Sequence, residues 1–463
     1  MFTSVGTLLI VFVTARLPLL KFNSPSYQID FYRMLFNYEP YRTGMVHNMT
    51  TEHILKNVND IKIIDELYPR SAKDTKVIQR YADNIDVLPA IEINQNNILI
   101  DGAHRLSAYK HAKIEQIPCI ITHTDTDQEL FMLALMRNAG HGLQLSQADK
   151  KRHAIRLCGA VDDSEIIRWL SVSDRTYRKW TTDKRKQLKE ERNQRILDLY
   201  LQCWTQERIA EEIGDITQVG IKKIIDGFIT NGNIAKSYND FKPELYNIWN
   251  FAKITNETHH PGNIPKEIIE NLLYYYTKPF DVVFDPFGGG GVTIDVCKAW
   301  QRRYFVSDIQ PTEIAKEKGM HTHDITIGLP DDLPKPNLVF LDPPYWNQMQ
   351  GDYTELPNDL SNMSIDEFYE TFAELFKTLH LKMANDGVLA FIIQNTQWKN
   401  DDKHVEPHSH VMWNLAEAAG FQFEHLIQVP YSTQQYNAQM VEYAKEHKII
   451  LQLNRELVVM RKP

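Results

Sequence analysis

The sequence predicts a multidomain α/β protein: a small α/β domain, a helical middle, and a C-terminal domain built on an open parallel sheet. Three observations carry this. Two short apolar runs, VVF at 282–284 and LVFL at 338–341, each break into a loop: four glycines at 288–291 in one case, Asp342-Pro343-Pro344-Tyr345 in the other. Such runs suit buried parallel strands whose carboxyl ends carry loops. Short strand and helix patterns also alternate in 51–140 and again after 236. Finally, residues 150–195 hold 14 Lys/Arg against 7 Asp/Glu, a local charge of +7 in a chain of net charge −9, which leaves −16 for the remainder. A length of 463 residues suits two to four domains.

Residues 1–50 read as a poorly defined extension. An apolar run of eleven residues at 5–15 is too short to span a bilayer, and no basic residue precedes it as in a secretory signal. Met45 and Met49 are candidate later starts. The four cysteines (119, 158, 203, 297) are scattered, which fits a reducing, cytoplasmic setting and argues against a zinc site or a disulfide framework.

Residues 51–140 form the small α/β unit. A helix is expected over 77–85 and strands over 88–93, 98–101 and 117–122. Between the last two, DGAHRLSAYKHA (101–112) reads as a turn opening a helix. Gly102 permits the turn, and His104 and Arg105 stand at the helix start, where backbone N–H groups favour an anion.

Residues 141–235 read as helices with two helix-turn-helix patterns. In 163–180 a Ser-Val-Ser break separates two helices, and the second offers Arg175, Tyr177, Arg178 and Lys179 to phosphates and base edges. In 205–228 Gly214 supplies the turn, and the following helix offers Lys222 and Lys223. The basic stretch 183–195 joins them.

Residues 236–463 carry the chemistry. Four glycines let backbone approach a ligand closely. A strand at 304–308 ends in Asp308, twenty residues after Gly288, a spacing suited to gripping a ribose hydroxyl pair. Asp-Pro-Pro-Tyr is a rigid loop that presents a carboxylate, a carbonyl and an aromatic face. It suits the amino group of a planar base, which in a duplex must first be flipped out of the stack. Further on, 364–381 and 412–420 read as helices, and 387–395, 421–429 and 450–462 as strands.

DPFGGGG (285–291) and DPPYW (342–346) resemble the adenosylmethionine-binding and catalytic motifs of DNA amino-methyltransferases. That resemblance implies a Rossmann-like sheet. It places Asp285, Phe287, Gly288, Gly290, Asp308 and Asp324 around S-adenosylmethionine, and Asp342, Pro343, Pro344 and Tyr345 around the target base, with Trp346 a second stacking candidate. It needs no metal. The segment 259–277 resembles the motif that helps cover the cofactor. Asp at the head of DPPY resembles adenine-N6 enzymes more than cytosine-N4 enzymes, so the expected function is site-specific adenine-N6 methylation of double-stranded DNA, as in restriction-modification, with cytosine-N4 as runner-up.

LYPR (67–70), the Gly-x-His-Arg box at 102–105 and RNAGHGLQLSQADKK (137–151) resemble the ParB/sulfiredoxin-like domain, which implies phosphate or nucleotide binding, for instance of CTP, at Gly102, His104 and Arg105. Ala103 stands where sulfiredoxins carry their cysteine. A rival class is therefore a ParB-like DNA-binding regulator or nuclease with a vestigial methylase fold. Only 121 residues follow Asp342, so much of the DNA contact is expected upstream, and a fragment 236–463 is expected to bind cofactor but methylate poorly.

Overall fold

The computed structural model describes residues 52–140, 145–230, 240–251, 264–346, 360–398, 401–430 and 437–463. The 1–50 extension, residues 141–144 of the ParB-like stretch and the start of the 259–277 motif lie outside them. Two compact units divide between Lys184 and Arg185.

The first unit holds a four-stranded sheet of order β1-β4-β2-β3, from β1 (Glu52–Asn57), β2 (Ile91–Ile93), β3 (Leu99–Asp101) and β4 (Gln116–Ile121). Helix α1 (Thr75–Ala82) starts on an Asp74 cap, and α2 (Ala103–His111) starts at Gly102, whose φ of +112° is open to glycine at little cost. Ile91, Ile93, Leu99, Leu106 and Ile117 form the core. Then come α3 (Asp127–Gly140), α4 (Gln147–Leu157) and α5 (Asp163–Leu170). The sequence pattern had suggested neither β1, whose EHILKN is mostly polar, nor α3.

Helix α6 (Asp174–Leu201) is continuous for 28 residues, so the second helix of the first helix-turn-helix pattern and the basic stretch are one element. The division between units falls inside it. The helical stretch 141–235 is thus shared, and its later part packs with the C-terminal domain. Leu197 and Leu201 lie in one core cluster of that domain, and Cys203 in the other. A cut at 236 would strip them from it. Helices α7 (Gln206–Ile213) and α8 (Gln218–Thr230) meet through Ile209, Ile213, Ile221 and Ile225, with Gly214 as the left-handed stop between them.

The second unit is organised by a seven-stranded sheet of order β12-β13-β9-β8-β5-β6-β7. Strands β5 (Val282–Asp285), β6 (Arg303–Asp308), β7 (His321–Thr322), β8 (Leu338–Leu341) and β9 (Val388–Ile393) are parallel. The last two, β12 (Gln422–Pro430) and β13 (Asn454–Arg461), are antiparallel to each other, and β13 is antiparallel to β9. All residues of β5, β8 and β9 are buried, as continuous apolar runs demand when helices cover both faces. The chain leaves β5 toward β6 on one side and returns to β8 on the other. The order reverses at β5, so the crevice between the carboxyl ends of β5 and β8 is where such sheets bind ligands.

Helices α9 (Lys266–Tyr276), α10 (Val292–Ala299), α11 (Glu313–Glu317), α12 (Ile365–Lys382), α13 (His408–Ala418) and α14 (Ala438–His447) complete the unit, with a small hairpin of β10 (Thr396–Trp398) and β11 (Asp401–Glu406). The Ser364/Glu367 capping box fixes the start of α12. No helix among the described residues is long and apolar enough to cross a membrane. All four cysteines are buried and free.

Candidate active site at the carboxyl edge of the sheet

Asp285 ends β5 and is 2% exposed. Its carboxylate accepts from Thr293 Oγ1 at 2.5 Å and from the Phe287 N–H at 2.9 Å, so it ties the start of the glycine loop to the first turn of α10. Burial pushes its carboxyl up to about 7, with Asp308 adding to the rise.

The glycine loop returns along β6. The Gly288 N–H donates to the Ser307 carbonyl at 2.9 Å, and the Gly289 N–H donates to Asp308 Oδ2 at 3.0 Å. Asp308 Oδ1 accepts from the Gln310 N–H at 2.9 Å. The acid read from the spacing is therefore placed against the glycines before any ligand arrives. A Cβ on Gly288 would meet Val306 Cγ1 at 2.4 Å and Met320 Cε at 2.6 Å, so the loop can lie this close to β6 only with glycine there. Gly291 has φ +83° at the start of α10. Phe287, Gly290 and Asp308 are partly exposed at this edge. Asp324 caps the short turn Ile325–Ile327, accepting from the Thr326 N–H at 2.9 Å and Thr326 Oγ1 at 2.7 Å.

Asp342 follows β8 and is half-buried. Burial pushes its carboxyl up to about 7. The positive field of Arg455 opposes the rise, Asp285 adds to it, and a hydrogen bond from Tyr345 opposes it. Tyr345 Oη donates to Asp342 Oδ1 at 3.4 Å, a long bond that leaves the ring half-exposed beside the carboxylate. Pro343 is buried and Pro344 half-buried. Trp346, expected as a second stacking surface, is instead an anchor: it is 7% exposed and its Nε1 donates to the Met363 carbonyl at 3.0 Å. Sequence reasoning missed Arg455, which is 7% exposed on β13, more than a hundred residues from Asp342. No local pattern marks such a partner.

The expected DNA-facing residues divide. Arg175, Arg178 and Lys179 are exposed on α6, and Arg178 pairs with Asp174 at 2.8 Å. Tyr177 is not on that surface. It is 0% exposed, and its hydroxyl donates to Asp163 at 2.7 Å, which ties α6 to α5. Its place two residues from both Arg175 and Lys179 puts it on the side of the helix opposite to them, facing the core. Lys222 and Lys223 are exposed on α8, and Lys222 pairs with Asp226 at 2.7 Å.

In the first unit Arg105 donates to Asp101 at 2.7 Å and to the carbonyls of Pro89 and Ala90 at 3.0 and 2.5 Å. His104 is 7% exposed and its Nε2 accepts from the Asp74 N–H at 2.9 Å; burial holds its pKa below the usual histidine range. Both basic side chains of the Gly102 turn are thus committed to protein partners. A cavity of about 310 Å³ in this unit is lined by Asp65, Glu66, Tyr68, Arg152, His153 and Arg156. Among the described residues, no cluster of His, Cys, Asp and Glu is arranged to hold a metal.

Residues 129–317 match the family model described as DNA methylase, a span that holds the glycine loop and Asp308 and ends before Asp342. Over 89 residues the chain is 32% identical to the type II methyltransferase M.BglII from Bacillus subtilis, which is 18% of this chain and 23% of that protein. The chain thus spans less than a quarter of that relative's length. Among solved structures, TrmN from Thermus thermophilus aligns over 44% of this chain and 50% of its own at 13% identity and a TM-score of 0.28. A putative DNA modification methylase from the same organism, complexed with S-adenosyl-L-methionine, aligns over 28% and 50% at 17% identity and a TM-score of 0.21.

Proposed function

We propose that this protein transfers a methyl group from S-adenosylmethionine to the N6 amino group of adenine in double-stranded DNA. The observation that carries the reading is the pairing of two loops at the reversal point of the sheet: a glycine loop held against Asp308, and Asp342 with Tyr345 one strand away. The close approach of Gly288 to β6, which any Cβ would block, fits a loop shaped for a ligand.

Asp308 would take the ribose hydroxyls, Asp324 the cofactor adenine, and Phe287 with Gly288 and Gly290 the methionine side. When bound, the cofactor supplies an electrophilic methyl on a sulfonium centre. Asp342 and the Pro343 carbonyl would accept hydrogen bonds from the target amino group, turning its lone pair toward that methyl. The amino nitrogen would take up that methyl and release one proton to solvent by way of its hydrogen-bond acceptor Asp342. Tyr345 would stack on the flipped base. Asp342 supports adenine over cytosine. Arg175, Arg178, Lys179, Lys222 and Lys223 would contact phosphates.

The test is transfer of label from methyl-labelled S-adenosylmethionine to plasmid DNA by the full-length chain. Label in DNA supports the reading, and its absence with cofactor still bound would favour a DNA-binding protein with a vestigial site. The same plasmid run on a gel would show nicking by a nuclease.

A further inference from the structure

We propose that Thr396, His408 and Tyr369 are positioning residues for the Asp342–Trp346 loop, acting through the backbone of Trp346. The inference rests on the methyltransferase reading above, but its geometry stands apart from the cofactor.

Four segments distant in sequence converge here: the end of the DPPYW loop, β10, the start of α13 and the first turns of α12. Thr396 Oγ1 donates to the Trp346 carbonyl at 3.3 Å. His408 Nε2 lies 3.1 Å from the same Thr396 Oγ1. A carbonyl can only accept, so the one hydrogen of the threonine hydroxyl is committed to Trp346, and His408 must donate from Nε2. With Nε2 donating, the other ring nitrogen, Nδ1, is an acceptor, and it lies 2.8 Å from Tyr369 Oη, whose one hydrogen it shares with Glu406 Oε1 at 2.7 Å. The imidazole thus has a polar neighbour at each ring nitrogen.

It is also closed in on its faces. His408 is 0% exposed, with ring centroids of Trp346 and Phe368 each 5.8 Å away. Thr396 is 4% exposed. A buried polar chain is costly unless each member is satisfied. An all-apolar filling would serve packing equally well, but it would leave the Trp346 carbonyl without this donor. What the chain adds is a fixed position for that carbonyl, one residue after Tyr345 and four after Asp342. With Trp346 Nε1 held by Met363, the loop is pinned from backbone and side chain at once. An acceptor pair that must point a lone pair at a methyl group tolerates little movement, so the pinning acts on the transfer step and leaves cofactor binding alone.

The test uses the full-length protein and three readouts: single-turnover methyl transfer, cofactor affinity by calorimetry, and the ¹⁹F resonance of Trp346 in 5-fluorotryptophan-labelled protein, assigned by its loss in Trp346→Phe. Thr396→Val removes the hydroxyl and keeps the shape. The expected result is a transfer rate down tenfold or more, cofactor affinity within twofold of wild type, and a shifted Trp346 resonance. Thr396→Ser should restore the rate to within about threefold. Tyr369→Phe, which keeps the ring and releases His408 Nδ1, should repeat the Thr396→Val pattern more weakly. Wild-type transfer with an unmoved resonance in Thr396→Val would overturn the proposal, as would equal damage in the valine and serine variants. If the wild type methylates no DNA, the reaction reading falls. The resonance then decides the positioning claim alone, a shift upholding it and no shift refuting it.

Discussion

Gly288→Ala probes the site most sharply. The new methyl would stand 2.4 Å from Val306 Cγ1 and 2.6 Å from Met320 Cε. The methionine end can swing aside. Val306 cannot: it is 0% exposed in β6, held by pairing with β5. The loop must therefore retreat from β6 by about 1 Å to reach ordinary contact distance. Two bonds oppose that retreat, Gly288 N–H to Ser307 O at 2.9 Å and Gly289 N–H to Asp308 Oδ2 at 3.0 Å. Overpacking costs about 1–3 kcal/mol, and a hydrogen bond to a charged group about 1.5–3 kcal/mol. Part of this falls on stability and part on the ligand-ready loop. The expected outcome is cofactor affinity down about a hundredfold, near 3 kcal/mol, with a melting temperature a few degrees lower. Isothermal calorimetry with S-adenosylmethionine and a thermal melt measure both. Affinity within twofold of wild type would refute the claim that this close approach shapes the cofactor site.

Three further outcomes follow from the same geometry. Asp285 and Asp342 are held near 7 by burial, above the ordinary 3.8, so the folded state keeps protons that the unfolded chain releases. Without cofactor, stability should therefore fall as pH rises from about 4 to 7, by a few kcal/mol, read from denaturant melts across that window. In the proposed transfer Asp342 acts as an acceptor, so kcat/KM should rise to a plateau above about pH 7, and Arg455→Met should move that limb to higher pH by removing the opposing positive field. On DNA, Arg175→Ala and Lys179→Ala should each lower the salt slope of binding by about one. Tyr177→Phe should leave the slope unchanged and destabilise the first unit by about 1–2 kcal/mol through loss of its bond to Asp163.

How much was legible in the sequence depended on how local each signal was. The strand–loop pairs at 282–291 and 338–345 were legible because a buried parallel strand is a continuous apolar run and its loop is written in glycine or proline. The helix at 364–381 appears as Ile365–Lys382, with its capping box marking the start. Edges were less legible: the last strand begins at Asn454, four residues after the apolar pattern suggests, and β1 at the margin of its sheet has too polar a face to stand out. Tyr177 shows the limit of composition. Amid basic residues it read as an interface tyrosine, and only the turn of the helix puts it inside. Arg455 and the Thr396–His408–Tyr369 chain were illegible for a different reason. Buried polar partners meet across strands and helices far apart in sequence, and no periodicity records the meeting.

The central claim is methylation of an adenine amino group by the Asp342 loop. Its most direct measurement is mass spectrometry of nucleosides from DNA incubated with S-adenosylmethionine and either the wild-type protein or Asp342→Ala. N6-methyldeoxyadenosine from the wild type, lost in Asp342→Ala while cofactor binding persists, is the predicted result. N4-methyldeoxycytidine in its place would overturn the choice of base. No methylated nucleoside from a wild-type protein that binds the cofactor would contradict the account.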